Sequence, residues 1–382
     1  MSDETVYMKR TLDLAANGLG RTFPNPLVGA VIVSGGEIVG EGFHGKAGGP
    51  HAEVEAIRSA GDRSRGSTLY INLEPCCHHG KTPPCTDAIL ESGIERVVIA
   101  IKDPDSRVMG RGVGILRENG VDVKTGVLDE EAVELNLPYL HKAMTGRPFI
   151  VLKLAMTLDG RLAVPQGGWF TGDESRESVH RLRTTMEAIA VGSGTLAADL
   201  PLLDRRYFRD APGPPIRMVF DSSLSSDIPV QWKPGENRVI FYCTERATEE
   251  MRKEFEDNGV EVVLLPEDRT GIDLKAWVEH VSTAEISSVL IEGGRRIASS
   301  VAGSALFDRF IVYHAPILDG GPNDYWTGPD MYPDGEGDRL ILGSSRTIGQ
   351  DVLSIYDRER ITGYRLLLSE NDLMEERRCL PD

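Results

Sequence analysis

Two motifs decide the fold of the N-terminal part of the chain: His51-Ala52-Glu53 and Pro75-Cys76-Cys77-His78-His79-Gly80-Lys81-Thr82-Pro83-Pro84-Cys85. One imidazole and two thiolates are ligands that Zn²⁺ prefers, and three protein ligands leave a fourth position for water, as in catalytic zinc sites. We therefore predict a zinc site formed by His51, Cys76 and Cys85. Zinc lowers the pKa of a bound water to about 7, and Glu53 is close enough in sequence to take a proton from that water.

Neighbouring residues offer alternative ligands. Cys77 could replace Cys76, and His78 or His79 could bind as well. We favour Cys76 because Pro75 restricts the backbone before it and fixes the turn at the end of a strand. A structural zinc site is the second interpretation, but such a site normally has a fourth protein ligand and has no use for Glu53.

The sequence around these ligands predicts two helices and one strand. Residues 52–57 have the pattern of the first turns of a helix, and residues 86–92 that of a second helix ending at Gly93. Between them, residues 67–73 form an apolar strand that leads to Cys76. Thiolates near helix N-termini are stabilised by the local positive potential. The ligands are therefore expected at the ends of regular elements.

The whole chain of 382 residues is long enough for two domains. The pattern of strands and helices restarts after Thr145-Gly146-Arg147-Pro148, so we predict one domain at residues 1–146 and a second at 147–382. Alternation of the two kinds of element predicts an α/β fold with helices on both faces of a sheet. The predicted strands are 30–33, 38–42, 67–73, 96–101, 121–125, 149–156, 188–191, 216–220, 239–243, 260–265 and 289–291. The predicted helices are 5–19, 52–57, 86–92, 113–119, 129–144, 174–186, 248–258 and 274–281, and further segments lie at 309–318, 345–348 and 364–368.

Charge and cysteine content restrict the class of partner. The net charge is −17 and both predicted domains are acidic, whereas a nucleic-acid-binding protein needs a basic surface. We therefore expect a small substrate and no nucleic acid. The polar N-terminus and the lack of a long apolar run predict neither a signal peptide nor a membrane partner. Of five cysteines, three lie in the metal motif, so we expect a reducing, cytoplasmic environment.

Several glycine motifs are candidate phosphate sites. Gly110-Arg111-Gly112-Val113-Gly114 lacks the spacing of a dinucleotide loop and does not directly follow a strand, so we interpret it as a turn before a helix. No Gly-x-Gly-x-x-Gly follows a strand in the second half, which argues against a Rossmann unit. Gly192-Ser193-Gly194-Thr195 and Glu292-Gly293-Gly294 do follow strands, and the latter precedes a helix whose N-terminus suits an anion.

The motifs together carry a family resemblance. Zinc deaminases with a short Cys-x-x-Cys spacing form one group, but here eight residues separate Cys76 from Cys85. The longer form resembles the deaminase domain of the bifunctional riboflavin-biosynthesis deaminase/reductases. The second half resembles the reductase domain of the same family. The matching pieces there are Leu152-Lys153-Leu154-Ala155, Leu158-Asp159-Gly160-Arg161, Gly192-Ser193-Gly194-Thr195, Ala198-Asp199, Pro201-Leu202-Leu203 and Glu292-Gly293-Gly294.

This resemblance implies a cytidine-deaminase-like three-layer domain followed by a dihydrofolate-reductase-like α/β domain. It implies two consecutive reactions on a small phosphorylated pyrimidine. The first is zinc-dependent deamination of 2,5-diamino-6-(5-phosphoribosylamino)pyrimidin-4(3H)-one, and the second is NADPH-dependent reduction of the ribosyl group to ribityl. A homo-oligomer is also expected.

The resemblance assigns site residues by position. In the first domain the pyrimidine pocket would include Asn25 and His44, with Lys81 as a phosphate contact. In the second, the substrate contacts would be Lys153, Gly167, Arg183, Leu203, Arg206 and Glu292. The NADPH contacts would be Ala155, Trp169, Thr195, Asp199, Ser222 and Gly294.

Two positions depart from the family pattern. Leu200 stands where an aspartate usually follows Asp199, and Gly167 stands where a polar substrate contact is expected. The main alternative is therefore a single-function zinc deaminase with a degenerate or unrelated second domain. The other two hypotheses are a nucleoside or nucleic-acid deaminase with an unrelated C-terminal tail and a zinc-stabilised binding protein without catalysis. The acidic charge and the reductase-like pieces disfavour the first, and the presence of Glu53 beside His51 disfavours the second.

Overall fold

A computed structural model of the protein describes residues 3–79, 83–162, 170–205, 213–269, 271–320 and 339–369. Contacts divide these residues into two units. The first comprises the described residues up to Gly146 together with those from Ile361 onward, and the second runs from Arg147 to Arg360. Four predicted site residues, Lys81, Gly167, Trp169 and Arg206, lie outside the described residues.

The described part of the first unit has one five-stranded sheet with the order β2-β1-β3-β4-β5. Its strands are β1 (Gly29–Ser34), β2 (Glu37–Phe43), β3 (Thr68–Leu73), β4 (Arg96–Ile101) and β5 (Asp122–Thr125). Its helices are α1 (Asp3–Ala15), α2 (Ala52–Ala60), α3 (Cys85–Ser92), α4 (Arg111–Glu118), α5 (Asp129–Thr145) and the later α11 (Glu359–Ser369), which belongs here from Ile361.

Strand direction and burial define the layers of this sheet. β1 pairs antiparallel with β2 and β3, while β3, β4 and β5 are parallel. Five of the six residues of β4 are buried, so both faces of this inner strand are covered. Continuous burial of this kind is expected of parallel strands with helices on both faces, and it gives the first unit three layers.

The described part of the second unit has a nine-stranded sheet with the order β10-β9-β8-β7-β13-β6-β14-β16-β15. Its strands are β6 (Phe149–Thr157), β7 (Ala188–Gly192), β8 (Ile216–Phe220), β9 (Val239–Cys243), β10 (Glu261–Leu264), β13 (Ser288–Glu292), β14 (Arg309–Ala315), β15 (Ile341–Ile348) and β16 (Asp351–Asp357). A separate two-stranded ribbon pairs β11 (Glu267–Asp268) with β12 (Gly271–Ile272). The helices are α6 (Asp173–Thr184), α7 (Ser193–Asp199), α8 (Glu249–Asp257), α9 (Leu274–Thr283) and α10 (Arg295–Ser304).

The direction of the strands places the second unit's functional edge. From β10 through β14 neighbouring strands are parallel, and β16 and β15 continue the sheet in antiparallel fashion. Parallel strands end at a common edge, and ligands bind outside the carboxyl ends in sheets of this kind. Glu292 ends β13 and Gly192 ends β7 at that edge.

The predicted α/β fold class is confirmed, and most elements lie within a few residues of their predicted bounds. Two differences are physical in origin. β16 was not predicted, because its burial does not alternate simply and so leaves no period of two in the sequence. Residues 364–368, a short apolar segment, lie within α11, where the Tyr364 hydroxyl is 2.9 Å from Nδ1 of His141 in α5.

The Gly110-Arg111-Gly112 motif, predicted as a turn before a helix at residues 113–119, leads into α4 two residues earlier, since the helix begins at Arg111. Gly110 adopts φ 80° directly before α4. A Cβ at Gly112 would lie 2.3 Å from the carbonyl oxygen of Pro75. The motif therefore lets the first turn of α4 approach the backbone beside Cys76. Among the described residues, no helix combines the length and apolarity needed to cross a bilayer.

Candidate active sites

Three potential metal ligands converge in the first unit. Nδ1 of His51 lies 3.0 Å from Sγ of Cys85 and 3.5 Å from Sγ of Cys76. All three donor atoms lie within 4.8 Å of one another, and this is the cluster of metal-binding type found among the described residues. Ligands about 2.0–2.3 Å from a tetrahedral zinc ion are separated by comparable distances. The donor set and its spacing therefore fit zinc.

The ligands stand where the elements around them begin and end. His51 is the N-cap of α2 and Cys85 is the first residue of α3. Cys76 follows the end of β3, and its Sγ accepts a hydrogen bond from the backbone N–H of Cys85 at 3.4 Å. The N-terminal N–H groups of a helix are free to make such bonds. The first turn of α3 therefore holds both thiolates.

Hydrogen bonds between the ligands prepare them for a cation. The pKa of Cys76 is lowered, first because the Cys85 thiol donates to it and also because of His51. The pKa of His51 is raised, chiefly by its hydrogen bond with Cys76. The cluster therefore carries thiolate character at Cys76, which a metal ion requires.

Glu53 is buried beside this cluster. Its residue is 3% exposed, and it lies in the first turn of α2, next to the Cys85 thiol. Burial raises the pKa of its carboxyl group above the ordinary value. A buried carboxyl with a raised pKa is suited to proton transfer near neutral pH.

Asn25 and His44 reach the same region. The Asn25 side-chain nitrogen lies 3.1 Å from Nε2 of His44, and Nδ1 of His44 lies 3.0 Å from the carbonyl oxygen of Pro50. Because a carbonyl only accepts, Nδ1 carries the proton and Nε2 accepts from Asn25. The His44 ring centre is 5.7 Å from that of His51. The structure thus brings both predicted pocket residues next to the metal cluster.

Cys77 lies apart from the cluster. Its Sγ is 3.6 Å from the carbonyl oxygen of Arg107, to which the thiol can donate.

We expect Cys76→Ser to lose most of the bound zinc, because a serine hydroxyl is a poor zinc ligand. Cys77→Ser is the matched control and should keep zinc. Elemental analysis of the purified proteins gives the zinc content of both variants. Zinc loss in the Cys77 variant alone would show that Cys77, and not Cys76, is the ligand.

Sequence reasoning missed the role of Glu74. Its buried carboxylate accepts the backbone N–H groups of Asp103, Gly110 and Val113, at 3.2, 2.9 and 3.0 Å. The hydroxyl of Tyr139 donates to Asp103 at 2.9 Å. Glu74 therefore ties the loop after β4 to the segment that carries Cys76. Its position directly before Pro75-Cys76 was the available signal.

A charged cluster lies at the carboxyl edge of the second unit's sheet. Nε and Nη2 of Arg183 donate to the two carboxylate oxygens of Glu292 at 2.6 and 3.0 Å. Nζ of Lys153 lies 3.9 Å from Oε2 of the same carboxylate. The three side chains are only 10–14% exposed. Burial alone would raise the pKa of Glu292, but the charges of Arg183 and Lys153 hold it at about 2.

Burial along β6 alternates as a site-lining strand requires. Lys153 and Ala155 are partly exposed, while Leu152, Leu154 and Met156 are buried. Successive residues of a strand point to opposite faces. The two predicted contacts therefore share the face that is open to a ligand.

A polar contact joins two of the predicted cofactor residues. The backbone N–H of Gly294, the N-cap of α10, donates to Oγ1 of Thr195 in α7 at 2.9 Å. A Cβ on Gly293 would lie 1.8 Å from Cγ2 of Ile297, so only glycine fits this turn. The close packing of Ile297 therefore requires the glycine turn that leads into α10. The N–H groups in the first turn of a helix suit an anionic group such as a pyrophosphate.

The remaining predicted contacts are more dispersed. Ser222 follows β8, and its carbonyl oxygen accepts from the backbone N–H and hydroxyl of Thr244. Asp199 is exposed at the end of α7, and Leu203 is 1% exposed. Leu200, the position that departs from the family, has φ 41°. Left-handed backbone is less costly for aspartate or asparagine than for leucine.

Two protein families match different parts of this chain. Residues 1–101 match the cytidine and deoxycytidylate deaminase zinc-binding region, and residues 148–354 match the RibD C-terminal domain. The riboflavin biosynthesis protein RibD of Aquifex aeolicus is 42% identical over 316 residues, covering 82% of this chain and 87% of that protein. RibD of Escherichia coli is 38% identical, covering 92% of this chain and 98% of that protein.

Solved structures give the same result. RibD of Acinetobacter baumannii superposes with a TM-score of 0.81 at 33% identity, covering 93% of this chain and 98% of that one. The diaminohydroxyphosphoribosylaminopyrimidine deaminase/5-amino-6-(5-phosphoribosylamino)uracil reductase of Thermotoga maritima superposes with a TM-score of 0.79 at 35% identity, with the same coverage.

Both predicted domain types are therefore confirmed. The match over residues 148–354 favours the bifunctional interpretation over a single-function deaminase with an unrelated second domain. The cofactors that go with the two domains are zinc and NADPH. This chain belongs to the RibD family of bifunctional riboflavin-biosynthesis enzymes, with a deaminase domain followed by a reductase domain.

Proposed function

We propose that the chain performs both reactions on one phosphorylated pyrimidine, with His51, Cys76, Cys85 and Glu53 serving the first and the Lys153–Arg183–Glu292 cluster the second. The substrate would be 2,5-diamino-6-(5-phosphoribosylamino)pyrimidin-4(3H)-one. The observation that carries this proposal is the presence, in one chain, of a three-donor cluster beside a buried carboxyl group and of a buried charged cluster at a sheet edge.

The deaminase residues divide the work. His51, Cys76 and Cys85 would hold zinc, which supplies a water of lowered pKa when bound. Glu53 takes a proton from the attacking water while the water oxygen bonds to the carbon that bears the 2-amino group. Glu53 then gives that proton to the departing nitrogen, so the carbon–nitrogen bond breaks and ammonia leaves. The hydrogen-bonded pair Asn25–His44 would orient the pyrimidine ring beside His51.

The reductase residues bind and orient. NADPH supplies hydride for C1′ of the ribosyl group. Glu292, held by Arg183 through two hydrogen bonds, is a fixed acceptor for ribose hydroxyls, and Lys153 is the adjacent cation. The N-terminus of α10 with Thr195 would receive the cofactor's pyrophosphate. Ala155, Asp199 and Ser222 would line the same cofactor, and Leu203 the substrate.

Product analysis tests the two activities together. We expect the chain to release one ammonia per pyrimidine without NADPH, and to give the ribityl product, two hydrogens heavier than the deaminated intermediate, once NADPH is added. Mass spectrometry of the products distinguishes these species. Deamination without subsequent reduction would restrict the proposal to the first domain. If neither the deaminated nor the reduced product forms, the proposal is wrong.

The chemistry of the metal cluster also bears on compartment and assembly. Among the described residues Cys76, Cys77, Cys85 and Cys243 form no disulfide. Zinc-binding thiolates must stay reduced, which supports a cytoplasmic enzyme. No nucleic acid or membrane partner is proposed, in keeping with the acidic charge. We also propose a homo-oligomer, which analytical ultracentrifugation of the full chain tests.

A further inference from the structure

The ammonium group of Lys153 has little access to water. Its side chain is 14% exposed. The nearest anion is Glu292, whose Oε2 is 3.9 Å away, and that carboxylate is already bound through both oxygens by Arg183. One buried carboxylate therefore serves two cations.

An aromatic ring lies on the same face of the sheet. Nζ of Lys153 stands over the ring of Tyr313, 5.6 Å from its centre. Tyr313 pairs with Ala155 in the register between β14 and β6, and Ile311 pairs with Lys153. Because residues two apart on a strand share a face, Lys153, Ala155 and Tyr313 all point to the ligand side. The ring belongs to the reductase cluster although no sequence motif marks it.

The ring is fixed at both ends. Its backbone lies inside the nine-stranded sheet, between β6 and β16. Its hydroxyl oxygen lies 2.8 Å from Oγ of Ser178 on α6, the helix that also carries Arg183. Tyr313 is 1% exposed. An aromatic side chain held in this way keeps one orientation toward Lys153.

The groups around Lys153 differ in whether they stabilise its charged form, and the Tyr313 ring is one that does. Burial disfavours the charged form and lowers the pKa of Lys153, and the Arg183 charge acts in the same direction. Glu292 opposes both, but its charge is shared. The negative face of an aromatic ring attracts a cation, and more strongly when the cation is desolvated.

We propose that Tyr313 is a positioning residue of the reductase reaction: its ring, held by its place in the sheet and its burial, keeps the Lys153 ammonium group charged and in place at the sheet edge. This inference rests on the proposed role of Lys153 beside the ribose. It adds one residue of β14 to the set that supports the second reaction.

The test compares Tyr313→Leu, which removes the ring, with Tyr313→Phe and Ser178→Ala, which remove only the hydroxyl contact. The measurement is the pH dependence of reductase kcat/KM with the deaminated pyrimidine and NADPH. The alkaline limb, where Lys153 loses its proton, should move to lower pH by about 0.5–1 unit in the Leu variant. It should stay within ~0.3 unit of the wild type in the other two.

Other titrating groups near Lys153 should not imitate this shift. Glu292 remains ionised because its pKa is about 2, and Arg183 remains protonated because its pKa is raised. His180, whose charge acts on Glu292, is present in every variant compared and so does not distinguish them. Tyr313 itself has a raised pKa, and the Phe variant removes its titration altogether.

Two further measurements keep the inference open to refutation. If the Leu variant does not fold, phenylalanines with one, two and three ring fluorines at position 313 weaken the ring's negative face at nearly constant shape, and the limb should move stepwise. Ammonia release by the first domain is the internal control. Lys153→Met with normal reduction would overturn the proposed role of Lys153 and this inference together. An inactive Lys153→Met with an unmoved limb in the ring variants would overturn this inference alone.

Discussion

Replacing Glu53 with glutamine is expected to leave the zinc content of the protein unchanged while lowering the deaminase kcat by about 10²–10⁴-fold. Glutamine has nearly the same shape as glutamate but cannot take up a proton from water. His51, Cys76 and Cys85 supply the donor atoms, so the metal cluster itself is intact in the variant. The expected result is therefore a zinc-loaded and folded but inactive first domain.

The same substitution separates catalysis from stability. Glu53 is 3% exposed, and burial raises the pKa of its carboxyl group. A neutral amide loses less on burial than a charged carboxylate, so the variant should resist thermal unfolding at least as well as the wild type. A carboxylate kept only for structure would give the opposite result, with a lowered unfolding temperature.

Glu55→Gln is the matched control, because Glu55 lies on the same helix and pairs on the surface with Arg58. This variant should deaminate within about twofold of the wild type, since surface ion pairs contribute little. Reduction of the supplied deaminated intermediate should be normal in both variants. Normal ammonia release by zinc-loaded Glu53→Gln would remove Glu53 from the mechanism.

The metal cluster could be predicted from sequence because its information is local. Ligand type, the proline before Cys76 and the helix starts at residues 52 and 85 are all visible within one stretch. The structure then brings the three donor atoms within 4.8 Å and leaves Cys77 outside the cluster. Only the way in which Glu74 holds the loop after β4 depends on residues far along the chain.

The reductase cluster was less accessible to the same reasoning. Lys153, Arg183 and Glu292 were assigned through the family resemblance, and no spacing rule relates a strand, a helix and another strand in this way. Their meeting depends on the sheet order, which places β6 between β13 and β14. The contact between Tyr313 and Ser178 joins residues 135 positions apart and leaves no trace in either local sequence.

The glycine motif before α10 could be predicted in part. Glu292-Gly293-Gly294 was recognisable as a turn before a helix, and α10 does start at Arg295. The requirement for glycine at position 293 comes from Ile297 in the first turn of α10, which fills the space that a Cβ would occupy. The pair of glycines thus predicted the turn and the helix start, whereas the packing of Ile297 against Gly293 is visible only in the structure.

Replacing Glu292 with glutamine is expected to have the largest effect in the second domain. The carboxylate is the shared partner of Arg183 and Lys153, and all three side chains are 10–14% exposed. Removing it leaves two buried cations without their partner. Breaking a buried ion pair in this way typically costs about 3–5 kcal/mol of stability. Reduction should fall below detection, while ammonia release by the first domain should be retained.

A double-mutant cycle identifies the cause. Arg183→Met removes one cation, so adding it to Glu292→Gln should cost less than the sum of the two single changes, by about 1–3 kcal/mol. Denaturant unfolding of the second domain, followed by fluorescence, supplies the four free energies. Strict additivity would show that Glu292 stabilises the fold through contacts other than its charge.

The pH dependence of stability independently tests whether the pKa of Glu292 is lowered in the folded protein. The pKa of Glu292 is about 2 in the folded protein, below the value of about 4.3 expected for an unfolded chain. Its stabilising contribution is therefore fully present above about pH 5, and it is lost as the pH falls toward 2, because the unfolded chain binds the proton first. The Gln variant lacks this group, so its stability should fall less steeply than that of the wild type across this window. Equal slopes for the two proteins would mean that the folded state does not hold Glu292 ionised between its two cations.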